Sequence, residues 1–153
     1  MSTENAKATL KILGVLSIIF GVFGIFLGVA MFSGGRVLGF EIMNTAGLTQ
    51  QQTEAGAAAA GTLYIFGGFT LIAAAFAILL GVFSVIGANN QRNIMPAFVL
   101  AIIALVLSCI SLILSFVYGI TASSLIDGIV SLIFSGVIYW AANTLRRDNA
   151  ERE

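Results

Sequence analysis

From Asn93 to Leu145 the chain carries a single charged residue, Asp127. An ionised side chain in so apolar a setting is costly to keep and marks an ion or solute site by default. Ser131 follows it by one helical turn, and Ser111, Ser115 and Tyr118 stand on the preceding segment. Together they make a candidate outer polar site of Asp127, Ser131, Ser115 and Tyr118, able to hold a cation or a polar solute in a small vestibule. The same carboxylate has a structural reading. Ser124-Leu125-Ile126-Asp127 has the spacing of a capping box, and a carboxylate in a first helical turn also meets the positive end of the helix dipole. The position favours the cap.

Residues for other chemistries are scarce. The chain has no histidine and one cysteine, Cys109. An internal disulfide and a CxxC redox pair are therefore excluded, and the commonest ligands for haem, zinc and copper are missing. No acidic cluster could hold a metal for lipid-phosphate chemistry, and no mid-span acid could relay protons in a drug antiporter. Catalytic, metal and cofactor-binding residues are read as none, and the chain as no enzyme.

The elements that would position Asp127 are long and apolar. Of 153 residues 59% are apolar and 9% charged, and the mean hydropathy is +1.05. Soluble domains are about a quarter charged, so there is too little polar surface here to cover a globule. Seven Lys and Arg balance seven Asp and Glu, which leaves no basic footprint for nucleic acid. The lipid bilayer is the implied partner, with a second copy or another membrane protein as the implied protein partner.

Four helices are expected, over about 10–33, 56–87, 96–118 and 125–145, in one domain covering 1–153. The first contains 24 uncharged residues from Ile12 to Gly35, enough to cross a hydrocarbon core about 30 Å thick. Lys7 and Lys11 before this run, and Gly28-Val29-Ala30 within it, have the look of a signal peptide. The run continues past that site to Phe32, which favours a retained helix. Gly34 to Glu54 reads as the longest non-membrane segment, with Thr49 and Gln52 spaced as a capping box that would start the second helix near Gln50. Ala88 to Met95 reads as a polar turn, with Pro96 in the first turn of the third helix, where proline is tolerated. Gly119 to Ser124 is the only turn cluster in the last apolar run.

Each helix carries a seam of small residues. In the first it is Gly14, Ser17, Gly21, Gly24 and Gly28; in the second Gly67, Thr70, Ala74, Ala77, Gly81, Ser84 and Ala88. The third has Ala97, Ala101, Ala104, Ser108, Ser111 and Ser115, and the fourth Ser124, Gly128, Ser131, Ser135 and Ala142, with Ile138 as its one large member. Steps alternating between three and four average 3.5 residues, which keeps one seam facing a partner in a left-handed pack. Helices in lipid gain little from hiding apolar surface from one another, and associate where small residues let backbones approach. Phe69, Phe76 and Phe83 lie on another face of the second helix and read as lipid-facing or peripheral.

The expected architecture is an all-α, integral membrane four-helix bundle, antiparallel and up-down-up-down. Lys7, Lys11, Arg92, Arg146, Arg147 and Arg152 fall on one side and Arg36 on the other, so the termini face the cytoplasm of a plasma or inner membrane. The layout is similar, in topology alone, to claudin-like and MARVEL-type proteins, although the paired loop cysteines that a claudin resemblance implies are missing. Two roles follow: a structural or accessory part in complex assembly, or a small oligomeric channel or transporter with Asp127 near its outer mouth.

Overall fold

The computed structural model describes residues 3–118 and 122–151, and among them the side chains of all but 114–118, 122–125 and 127. The described residues form four helices and no strand: α1 Thr3–Asn44, α2 Gln50–Asn89, α3 Ile94–Tyr118 and α4 Ala122–Ala150. All four are long and apolar enough to cross a membrane.

The helices outrun the apolar runs that announce them. α1 has 42 residues and α2 has 40, about 60 Å each. The expected outer loop from Gly34 to Glu54 is mostly helix, and only Thr45–Thr49 turns. Arg36 and Glu41 mark where the chain becomes polar, and a charge on an outer helix face does not end a helix. What ends α1 is local bonding. Asn44 Nδ2 donates to the Phe40 carbonyl at 3.0 Å, Thr45 Oγ1 donates to the Glu41 carbonyl at 2.7 Å, and Gly47 takes φ +94°, a conformation that glycine adopts without strain. α2 then starts at Gln50 on the Thr49–Gln52 box: Thr49 N donates to Gln52 Oε1 at 3.0 Å, and Gln52 N to Thr49 Oγ1 at 3.4 Å. Between α2 and α3, Asn90 is extended and its side chain accepts from Arg92 N, capping one 3₁₀ turn at Gln91–Asn93. Pro96 is the third residue of α3, within its first turn.

The chain divides into two compact units. The first comprises residues 1–18 and 79–153, the second Ile19–Ile78. The first unit holds a core to which all four helices contribute: Ala6 and Leu10 from α1, Leu80 and Ala88 from α2, Ile94, Ala97, Phe98 and Ala101 from α3, and Ile138, Ala141, Ala142 and Leu145 from α4. Phe83 packs against that core and is not peripheral as its spacing implied, whereas Phe69 is 67% exposed. The second unit is a hairpin of the later part of α1 and the earlier part of α2. Its outer surface is greasy, with Phe20, Phe23, Phe26 and Ile72 all exposed.

Candidate packing seams and polar sites

Within the second unit, the α1 glycines lie directly on the α2 backbone. A Cβ added at Gly21 would come within 2.9 Å of the Ala74 carbonyl oxygen, and one at Gly24 within 2.9 Å of the Ala74 Cβ. One at Gly28 would meet Leu71 Cγ at 2.8 Å, and one at Gly67 would meet Phe32 N at 2.6 Å and the Gly28 carbonyl at 3.0 Å. Within the first unit, a Cβ at Gly14 would sit 2.9 Å from the Gly81 carbonyl, and one at Gly81 would sit 2.5 Å from that of Gly14. Backbones this close leave no room for a side chain at either residue, and they bring Cα–H groups up to carbonyl oxygens.

The hairpin pairing extends beyond the residues singled out by sequence. Gly35 lies on Ala60 and Tyr64, Gly39 faces Ala60, and Gly56 faces Ile42. Each step of seven along α1, through Gly21, Gly28 and Gly35, is matched by a step of seven backwards along α2, through Ala74, Gly67 and Ala60. A signal for this was present, since Gly35 and Ala60 continue the same spacing; it was obscured because Gly35 stands at the end of the apolar run and Ala60 among several alanines. Phe32 and Tyr64 pack at a tilt beside Gly35, their ring centroids 4.1 Å apart.

The third and fourth helices meet through hydroxyls. Ser108 Oγ lies 2.9 Å from Ser131 Oγ while donating to the Ala104 carbonyl at 2.9 Å, and Ser135 Oγ reaches Ser108 Oγ at 3.4 Å and the Ser131 carbonyl at 2.7 Å. Gly128 packs against Leu112, whose Cδ1 would be 3.3 Å from an added Cβ. These serines bond to their own helices and to one another, which is how hydroxyls join apolar helices at about 0.6 kcal/mol per contact. The side chains of Ser115, Tyr118, Ser124 and Asp127 lie outside the described residues, so of the candidate polar site Ser131 alone is placed, and it is placed in the serine cluster.

Ser84 differs from the other seam serines. It is fully buried, and its hydroxyl has no hydrogen-bond partner. Its Cβ would lie 3.0 Å from a Cβ at Gly14, so it fills the seam by size, while its polar atom carries an unrepaid desolvation cost.

Three contacts at the polar end of the first unit depend on how α3 and α4 align, so spacing alone did not reveal them. Phe98 stacks on Tyr139 at 5.5 Å, the Arg146 guanidinium lies 4.3 Å over the Phe98 ring, and Asn149 donates to the Gln91 carbonyl. Arg146 thereby covers apolar surface with its charge, a cation–π arrangement. Lys11 Nζ reaches Asn89 Oδ1 at 3.2 Å on the exposed surface. Two open cavities accompany these features. One, of about 440 Å³, is apolar and runs along the hairpin from Gly35 and Gly39 to Ala57 and Gly61; the other, of about 360 Å³, lies between Thr3 and the last turns of α4. Among the described residues no three of His, Cys, Asp and Glu are grouped to hold a metal.

The class these features define is a small all-helical chain whose four helices are each long and apolar enough to span a membrane. Compared with models of known families, with curated proteins and with solved structures, the chain matches none.

Proposed function

We propose that this chain is a multi-pass membrane protein with an architectural role, an accessory subunit that binds a second copy or another membrane protein. The observation that carries the reading is the backbone contact between α1 and α2, with glycine or alanine at each close approach and large apolar side chains exposed outside it. Such a seam consolidates the helices as a left-handed, antiparallel, up-down-up-down bundle and offers its greasy exterior to lipid or to neighbours. The hydroxyls between α3 and α4 support the same view: Ser108, Ser131 and Ser135 are satisfied within the protein, as hydroxyls that hold helices together are.

The basic residues put both termini and the Ala88 to Met95 turn on the cytoplasmic side of the cell membrane, with the Thr45–Thr49 turn outside. Chemical cross-linking in membranes followed by native mass spectrometry of the purified protein tests the role. A partner retained at fixed stoichiometry, or a compact self-dimer, is expected. A closed ring around a polar lumen overturns the reading in favour of a channel.

A further inference from the structure

The uncharged run of α1 from Ile12 to Gly35 has 24 residues, about 36 Å of helix and more than the hydrocarbon core of about 30 Å. The apolar surface does not end with it. Val37, Phe40 and Met43 follow at steps of three and are 57%, 72% and 87% exposed. Met43 lies about 12 Å beyond Gly35, past the charged Arg36 and Glu41, where lipid tails do not reach. A greasy strip outside lipid marks a protein contact.

Met43 also stands at the rim of a hole. The apolar cavity of about 440 Å³ is lined by Gly35, Gly39 and Met43 of α1 and by Thr53, Ala57 and Gly61 of α2, among others, and among the described residues no charged side chain lines it. Its walls are low because glycine and alanine build them. Inside a helix glycine is costlier than alanine. Gly21, Gly28 and Gly67 offset that with a backbone contact across the hairpin, but an added Cβ at Gly61, or at Gly68 seven residues on, would meet nothing within 4 Å. These two glycines keep open a surface that the hairpin itself does not use. Gly56 packs on Ile42, so Met43 stands level with the stretch of α2 from Thr53 to Ala57.

We propose that two copies of this chain meet through this groove, the Met43 of each entering the groove of the other. The inference rests on the membrane-spanning reading above and commits it to a second copy as the partner. Two copies inserted in the same orientation carry Met43 and the groove at the same height, so a twofold axis along the membrane normal makes the contact self-complementary. The area is sufficient. With α2 about 40 Å long from Gln50 to Ile78 and two helices about 20 Å wide, one side of the hairpin presents about 800 Å², the share of one partner in a standard interface. Within lipid the contact continues along Gly68 and Ile72, the latter 71% exposed, where small residues let helices approach. Height excludes lipid tails as the occupant, because on α1 the groove begins at Gly35, where the uncharged run ends.

The test is cross-linking in membranes between two differently tagged full-length copies, both carrying Cys109→Ser. One copy carries Met43→Cys and the other Ala57→Cys, and a short bismaleimide should join them. Ala59→Cys is the control: it is exposed but lies two residues along α2, on the opposite side of the helix, and should give little product. Met43→Ala should weaken the dimer about tenfold or more, since a whole apolar side chain no longer leaves water. Gly61→Leu should abolish the dimer while helix content by circular dichroism stays unchanged, because within one copy the added side chain enters open space. Equal cross-linking from Ala57 and Ala59, or a dimer that survives Gly61→Leu, would overturn the groove contact. A chain that stays monomeric in membranes while retaining another protein at fixed stoichiometry overturns the second copy as partner and leaves the accessory role standing. Release of the protein by carbonate extraction overturns the membrane reading beneath both.

Discussion

The closest approach between α1 and α2, at Gly14 and Gly81, can be probed with a single methyl group. A Cβ at Gly81 would lie 2.5 Å from the Gly14 carbonyl oxygen, 2.7 Å from Ile18 Cγ1 and 2.9 Å from Ile18 N. Two of the three are backbone atoms that cannot turn aside, so in Gly81→Ala the helices must separate by about 1 Å to restore contact near 3.5 Å. A gap of that size forfeits a quarter to a half of each neighbouring dispersion contact. Overpacking costs about 1 to 3 kcal/mol, and fixed backbone atoms argue for the upper end. Alanine is about 1 kcal/mol better than glycine in a helix, so the net loss should be about 2 kcal/mol. Gly68 is the control, because nothing lies within 4 Å of its added Cβ. Gly68→Ala should gain about 1 kcal/mol from propensity alone. The variants should then differ by about 3 kcal/mol, or by roughly 6 to 12 °C in Tm for a chain of this length. Thermal unfolding in detergent, followed by Trp140 fluorescence, reads the difference. Equal shifts, or a stabilised Gly81→Ala, would refute the close-packed seam.

Four further outcomes are expected. Ser84→Ala removes a buried hydroxyl without a partner and keeps the Cβ, so stability should rise by about 1 kcal/mol in denaturation; a loss would mean that the hydroxyl is bonded. Ser108→Ala should cost about 1 kcal/mol, from two serine contacts at about 0.6 kcal/mol each, and Ser131→Ala combined with it should cost less than the sum of the singles in a double-mutant cycle. Single cysteines at Thr45, Asn90 and Asn149, in a Cys109→Ser background, should be labelled in intact cells by an impermeant reagent only at Thr45; labelling at Asn90 would sink the four-crossing arrangement. Asp127→Asn should lower stability by about 0.3 to 1 kcal/mol, with any phenotype following protein abundance; a null phenotype at normal abundance and stability would instead make Asp127 a solute-binding residue.

Helix number and type were legible because uncharged runs of this length have few alternatives, and the seams because small residues recur at a helical period. Helix ends were less so. Arg36 and Glu41 are exposed on α1, and their charge reports leaving an apolar environment, which is a different event from leaving a helix. The partner of each seam residue was not legible either: spacing places Gly28 on a face, but only the fold sets Gly67 against it. The Phe98, Tyr139 and Arg146 stack joins residues about 40 positions apart in the chain, and no local pattern encodes such a meeting.

The regular recurrence of glycine and alanine along the α1–α2 hairpin has a cost in ambiguity. A ladder with a repeat of seven is like a vernier scale: slide one helix by a single repeat, and Gly28 meets Ala74 or Ala60 instead of Gly67, again a small residue, although its methyl then crowds Phe32 N where Gly67 has none. The small residues of the interior therefore leave the choice of phase to few contacts. That choice falls to the turn, where Gly47 adopts its positive φ and the Thr49–Gln52 box fixes the first residue of α2. A slipped hairpin would have to unwind one of these helix ends and place a residue other than glycine at the sharpest bend. The few residues least engaged with the rest of the hairpin are thus the ones that select among its nearly equivalent alignments, and lengthening the turn, more than loosening the seam, is what would make the hairpin heterogeneous.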